Sequence, residues 1–565
     1  MFLRILGAVI LISLSAGTYF IVKESRFFEE SLIQFSVPVS LVRGRTDSDT
    51  LVVLLHGFNQ PSSNLDGVKN TLAALEVDQR KSFDIMQPEL PLGAMSLASH
   101  FDITAELLIA VDQAWANRQR LGKPYQEIIF VGHSYGAMLA RKLYLVAQGE
   151  QAKAKFEPQL IHAAAKVAAD PIIEPRPWAD KVTRLVLLAG MNRGWSISHH
   201  MSIPRAFMMQ AGVGVAYIVE FCTGLLPGVD RRLPVIMSLR RGAPFITQLR
   251  LQWIAMERGW LNSGKANGTV TVQLLGTVDD LVSPEDNTDL VSGANFVYME
   301  VPGSGHNSIV DMDAELFETL AEKESAEARR KVFRDALSVT AGEPGHLFGR
   351  DERLVVEPDV TDLIFIIHGI RDEGYWTKKI ARRVKSLGSQ FTNRKIATET
   401  STYGYFPMLS FLIPGARQEK VEWLMDKFTQ AKARYPNAIF HYVGHSHGTY
   451  LLTRALQDYP SVEFGQVVFA GSVVRKEFEW HKYVPTRVSA VLNYVASADW
   501  VVAFFPKALE SLNVQDLGSA GHAGFSESID NQRLIRARAV DEYYEASSFV
   551  SGGHGAALQE QMWDN

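Results

Sequence analysis

The sequence predicts an α/β protein of two tandem domains, each a mostly parallel sheet flanked by helices, preceded by an N-terminal transmembrane helix. Three observations predict it. Short apolar, β-branched runs ending in His-Gly occur twice, TLVVLLHGF at Thr50–Phe58 and DLIFIIHGI at Asp362–Ile370. Runs ending in Gly-His-Ser also occur twice, IIFVGHSYG at Ile128–Gly136 and IFHYVGHSHG at Ile439–Gly448, and the spacing is kept: 78 residues from His56 to Ser134 and 78 from His368 to Ser446. The third is an uncharged run of 18 residues, Ile5–Val22, at the N-terminus. Apolar runs without alternation suit parallel strands buried on both faces. Chance is a poor account of two matched pairs at one spacing.

The elements follow in order. Ile5–Val22 is just long enough to span a bilayer core, and Lys23, Glu24 and Arg26 close it. Residues 1–26 are therefore expected to be a single-pass membrane anchor. The alternative is an exported protein whose signal peptide is cleaved near Ser15-Ala16-Gly17; the anchor is favoured because Tyr19-Phe20-Ile21-Val22 carries the apolar run past that site. Arg4 on one side and Lys23 and Arg26 on the other leave the orientation open. The first domain is expected over 35–338, a linker over 339–358 and the second domain over 359–565. Leu316–Leu337 is charged and helix-prone, and the AGEPGHLFGRDERL that follows is rich in glycine and charge, as a linker is. Helical stretches follow Gly136 and Gly448, and strand-like runs ending in Ala-Gly follow those, at Arg184–Gly190 and Gln466–Gly471. Strands alternating with helices indicate parallel sheets covered on both faces.

Composition narrows the function. A chain of 565 residues exceeds one core, and 47% apolar with 21% charged residues is ordinary for a globular protein. The net charge of −5 gives no basic excess for nucleic acid. Cys222 is the only cysteine, so no intrachain disulfide forms. With no Cys-x-x-Cys or His-Glu-x-x-His pattern, neither a metal nor a cofactor is expected. His199-His200 is a metal pair by residue type, but no third ligand stands near in sequence.

Gly132-His133-Ser134-Tyr135-Gly136 and Gly444-His445-Ser446-His447-Gly448 both fit Gly-x-Ser-x-Gly. Alone the motif is weak, with about 0.2 chance matches in a chain of this size. A strand before it and a helix after it, twice, makes it strong, because a strand turning sharply into a helix exposes a strained serine at a helix N-terminus. A serine nucleophile needs a base, and the base an orienting acid. In the first copy Val270–Pro284 offers Asp279, with Asp280 its nearest competitor, and the Gly-rich loop after Phe296 offers His306. In the second, Ala490–Val502 offers Asp499 and Ser548–Leu558 offers His554, with His522 the alternative base. An oxyanion hole would use the backbone N–H groups of Tyr135 and Phe58 in the first copy and of His447 and Ile370 in the second. His133 and His445, beside the serines, are expected to hydrogen-bond around the turn, and His56 and His368 to shape their loops.

On His56-Gly57, Ser134, Asp279 and His306, and again on His368-Gly369, Ser446, Asp499 and His554, both halves resemble the α/β-hydrolase superfamily in its lipase and esterase branch. The resemblance covers about Leu51–Val310 and Asp362–Leu558, and SLRRGAPFITQL at Ser238–Leu249 is similar to a segment that lipase-type members carry before the acid-bearing strand. It implies a serine hydrolase that cleaves carboxylic esters through an acyl-enzyme, on a small-molecule or lipid-like ester near the membrane. A thioesterase, a peptidase, or a non-catalytic binding copy in one half is the alternative. Substrate identity and oligomeric state are not legible.

The copies differ in one respect. Ser134 to Asp279 spans 145 residues and Ser446 to Asp499 spans 53, so the first domain carries an insertion of about ninety, expected to be a cap. Its segment Arg205–Gly228 is strongly apolar and reads as a lid for acyl chains or an interfacial segment, or equally as a buried helical hairpin. The second domain lengthens the Asp-to-His segment to 55 residues against 27, and carries an aromatic run at Tyr403–Pro414.

Overall fold

The computed structural model describes residues 39–44, 48–79, 82–93, 96–167, 171–197, 201, 212–214, 216–217, 234–264, 268–289, 295–340, 355–370, 374–391, 393–407, 414–495, 517–526 and 558. The chain divides into two compact units, Met1–Arg353 and Leu354–Asn565.

In the first unit seven strands form one sheet: β1 (Val39–Val42), β2 (Thr50–Leu55), β3 (Phe83–Pro88), β4 (Glu127–His133), β5 (Val182–Leu188), β6 (Val270–Gly276) and β7 (Phe296–Val301). Their spatial order is β1-β3-β2-β4-β5-β6-β7. Only β1 runs antiparallel to its neighbour, β3. The central strands are buried on both faces, which is why they read as unbroken apolar runs. Leu51, Val53 and Leu55 of β2 point into one core and Val52 and Leu54 into the other, as a period of two requires. The first core lies under α2 (His100–Arg120), α3 (Tyr135–Ala147), α4 (Pro158–Val167) and α5 (Pro244–Ser263). The second lies under α1 (Asp66–Gln79) and α6 (Leu320–Ala336). The α6 helix opens with a capping box, Thr319 with Glu322, which satisfies two of its orphan N–H groups.

In the second unit five parallel strands pair: β8 (Asp362–Ile367), β9 (Ile396–Glu399), β10 (Ile439–His445), β11 (Phe464–Ala470) and β12 (Val488–Tyr494), in the order β12-β11-β10-β8-β9. Helices α7 (Tyr375–Gly388), α8 (Pro414–Arg434) and α9 (His447–Asp458) complete it. Phe365, Phe428, Phe440 and Phe464 pack as an aromatic cluster at its centre. This order is that of β6-β5-β4-β2-β3, and the register agrees residue by residue. Leu55, Gly132, Leu187 and Gln273 lie in one row across the first sheet. Ile367, Gly444, Phe469 and Asn493 form the matching row in the second. At the matching place in each row stands a fully buried amide, Gln273 or Asn493.

Among the described residues no helix is long and apolar enough to cross a membrane. Ile5–Val22 lies outside them, as does Arg205–Gly228 apart from 212–214 and 216–217, where Val213 and Ala216 are buried. The segment resembling lipases is built in. Arg241 binds the buried Asp286 carboxylate, beyond the end of β6, through Nε at 2.7 Å. Pro244 then starts α5 at a position where its missing N–H costs nothing.

Candidate active sites

Each site begins at a turn from strand to helix that only glycine permits. A Cβ on Gly132 would overlap the Gly136 carbonyl, and one on Gly136 the Leu55 carbonyl of β2. In the second unit a Cβ on Gly448 would lie 2.6 Å from Ile367 O. The serines between these glycines take a backbone conformation that side chains disfavour: φ 53°, ψ −115° at Ser134 and φ 51°, ψ −118° at Ser446. Such strain costs on the order of 1–3 kcal/mol and persists only where the surroundings enforce it. Ser134 N–H donates to Leu188 O at 2.9 Å and Ser446 N–H to Ala470 O at 3.0 Å, which ties each turn to the adjacent strand. Each serine caps its helix without spending its hydroxyl on the cap.

In the first unit three sequence-predicted side chains meet. His306 Nε2 lies 2.9 Å from Ser134 Oγ, and His306 Nδ1 lies 3.0 Å from Asp279 Oδ2. A carboxylate only accepts, so Nδ1 carries the ring proton and Nε2 accepts from the serine hydroxyl. It is Asp279, and not Asp280, that meets the imidazole. Its other oxygen accepts from Leu281 N and Val282 N, both at 2.9 Å. Burial pushes the Asp279 carboxyl up, but the His306 bond and charge and the two backbone donors outweigh it and hold the group below the usual carboxylate range. The loops that deliver Asp279 and His306 are tied together. A Cβ on Gly276 would overlap Ser304 O, Val278 N–H donates to Ser304 O at 3.1 Å, and Arg329 of α6 grips Ser304 Oγ at 2.9 Å. Ser134, His306 and the Asp279 side chain are each 5% exposed or less, so the relay is shielded from water.

His133 also has work to do. Its Nε2 donates to the His306 carbonyl at 2.8 Å, and its Nδ1 faces the Gln60 side-chain amide at 2.9 Å. The residue before the serine thus holds the backbone of His306. Burial, and after it the neighbouring His306 imidazole, press His133 down to about 3, so it stays neutral. The sequence reading did not find this contact or Gln60, and no local pattern marks a pair 173 positions apart. His56 and its counterpart His368 shape their loops alike: Nδ1 donates to the carbonyl of the next glycine, at 2.9 and 2.8 Å. His56 Nε2 accepts from Leu90 N at 2.7 Å, and burial lowers its affinity for a second proton. These loops lie on the serines. A Cβ on Gly57 would come within 3.0 Å of Ser134 Cβ, and one on Gly369 within 2.8 Å of Ser446 Cβ. That brings the Phe58 and Ile370 amides beside their serines. Among the described residues the N–H groups of Phe58 and Tyr135 meet no protein acceptor.

In the second unit Ser446 and His447 are described, whereas Asp499 and His554 lie outside the described residues. His522 stands in a short helical turn, Ala520–Ala523, held beyond the end of β11 by Gly521 N–H to Ser472 O at 2.8 Å and by Asn493 Nδ2 to Ala520 O at 3.0 Å. The aromatic run packs inward at its start. Tyr403 Oη donates to His368 O at 2.9 Å, and His447 Nδ1 lies 3.3 Å from Tyr403 Oη. Phe406 lies against the His447 ring at 5.1 Å. Burial, then the charges of Arg417 and Lys420, then His368, hold His447 well below its ordinary range. A ring held in this way has little affinity for a proton. Among the described residues no group of acids, histidines or cysteines is arranged to hold a metal ion, and His199-His200 lies outside them.

Residues 52–319 match the alpha/beta hydrolase family. No curated protein matches the chain. Among solved structures it is similar to a monoacylglycerol lipase of Paleococcus ferrophilus (15% identity, 54% of this chain and 99% of that one, TM-score 0.29). It is also similar to a monoglyceride lipase of Saccharomyces cerevisiae (10%, 54% and 92%, 0.32). A third is Est1E from Butyrivibrio proteoclasticus, solved with ferulic acid bound (13%, 54% and 96%, 0.28).

Proposed function

We propose, from the match of residues 52–319 to the alpha/beta hydrolase family, that the chain is a serine hydrolase that cleaves carboxylic esters through an acyl-enzyme. The observation that carries the reading is the relay Ser134 Oγ–His306 Nε2–His306 Nδ1–Asp279 Oδ2, with bonds of 2.9 and 3.0 Å. Ser134 Oγ attacks the acyl carbonyl as His306 Nε2 takes its proton. Asp279 holds the tautomer and stabilises the imidazolium. The Phe58 and Tyr135 amides receive the oxyanion. His306 then returns the proton to the departing alkoxide, and the alcohol leaves the acyl-enzyme. Water, deprotonated by His306, attacks the acyl carbon, and the acid departs as Ser134 recovers its proton.

The same reading extends to a second domain with Ser446, Asp499 and His554 in these roles and Ile370 and His447 as oxyanion donors. Its support is the shared strand order, the matching register row and the near-identical serine dihedrals. Counting along that row adds more: Asp279 is six residues beyond Gln273, and Asp499 is six beyond Asn493. An anchor at Ile5–Val22 and the apolar Arg205–Gly228 favour lipid-like esters at a membrane. Hydrolysis of short-chain p-nitrophenyl esters by Ser134→Ala, Ser446→Ala and the double variant tests the proposal. Each single variant should keep the other site's share, and the double variant should fall to background. Full activity in the double variant would refute the serine chemistry.

A further inference from the structure

Helix α7 of the second unit carries five cations and no acid: Lys378, Lys379, Arg382, Arg383 and Lys385. All five are exposed, while Thr377, Ala381 and Gly388 face inward. Residues three and four apart share a helix face, so Tyr375, Lys378, Lys379 and Arg382 form one outward stripe. Apolar side chains stand exposed along it, Tyr375 at 73%, Leu387 at 40% and, just beyond the helix, Phe391 at 63%. Among the described residues, the side chains of Lys378, Arg382 and Lys385 make no ion pair or hydrogen bond. The fold does not require this charge. The helix at the same place in the first unit, α1 after β2, carries three acids and one lysine. Nor does composition supply it, since the whole chain is net −5.

We propose that the outward face of α7 docks on a bilayer surface bearing anionic lipid headgroups. Lysine and arginine neutralise the headgroups, each adding about fivefold to affinity at low salt. Tyr375, Leu387 and Phe391 enter the boundary between headgroup and acyl chain. Exposed leucine and phenylalanine among the cations favour lipid over a purely polyanionic partner. The helix also begins at the second serine turn: Trp376 meets the His445 ring edge-on at 6.0 Å, and a Cβ on Gly374 would lie 2.9 Å from the His368 ring. If the hydrolase reading of the second domain holds, docking sets its serine at the lipid surface.

The test is amine footprinting of the full chain with nanodiscs of phosphatidylcholine alone, or with about 30% phosphatidylserine, read by peptide mass spectrometry. Labelling of Lys378 and Lys385 should fall at least fivefold on the anionic discs and return in 0.5 M NaCl. The exposed Lys153 and Lys323 serve as internal controls. In Arg382→Glu/Lys385→Glu, protection of Lys378 should disappear while circular dichroism and thermal unfolding of the full chain are unchanged, which shows the fold intact. Equal labelling on both discs overturns the proposal. Protection by added single-stranded RNA on neutral discs, without protection by phosphatidylserine, replaces lipid with nucleic acid and overturns it too. Because no readout at α7 depends on turnover, a failed docking and a failed hydrolase assignment remain separate results.

Discussion

Replacing Asp279 with asparagine leaves shape unchanged and reverses a tautomer. The Asp279 oxygen facing Leu281 N and Val282 N accepts from both at 2.9 Å. An amide must keep its carbonyl oxygen there, because turning its NH2 toward two N–H donors would strand all of them. Its NH2 then faces His306 Nδ1, where the carboxylate oxygen lay at 3.0 Å. The imidazole responds by placing its proton on Nε2, toward Ser134 Oγ, and ceases to be a base. A wrong-tautomer histidine costs about 10⁴ in kcat in a serine triad, or about 5 kcal/mol of transition-state stabilisation. The assay is kcat on a short-chain p-nitrophenyl ester in a Ser446→Ala background, with thermal unfolding recorded to show a folded protein. A fall of less than about tenfold, or an equal fall in Asp280→Asn, would refute the reasoning.

Three further outcomes follow from the geometry. Gly136→Ala should destabilise the first unit by about 1–3 kcal/mol or more in urea unfolding, because its Cβ overlaps the Leu55 carbonyl; unchanged stability would mean that strand and helix do not cross so closely. His133 takes up its proton at about 3 when folded against 6.5 unfolded, so its contribution is complete above pH 6.5 and is lost as pH falls toward 3. His133→Gln should therefore flatten the acid limb of stability by up to about 1.4 kcal/mol per pH unit, and an unaltered limb would show that the ring is not held neutral. Asp499→Asn in a Ser134→Ala background should abolish the remaining esterase activity; retained activity would move the second acid elsewhere.

The parts of the fold legible in sequence were those with local cause. Parallel strands buried on both faces announce themselves as apolar runs, and the two serine turns as glycines bracketing a Gly-x-Ser-x-Gly. The loop from β7 to His306 was legible because glycines must clear the path of the imidazole. Other features had no local cause. β1, four residues and antiparallel, is too short to show a period, as is β9. The His133–His306 contact, the Arg329–Ser304 bond and the Arg241–Asp286 pair join distant segments and exist only once the sheet has formed. The equivalence of Gln273 and Asn493 is likewise a fact of register, invisible until both sheets are aligned.

The proposed chemistry puts two serine nucleophiles on one chain. Labelling the full chain with a fluorophosphonate and mapping the modified peptides tests it most directly. Adducts are expected on Ser134 and on Ser446, each lost only with its own Ser→Ala change. A chain that reacts at only one of the two serines or at neither, or whose adduct maps to another residue, contradicts it.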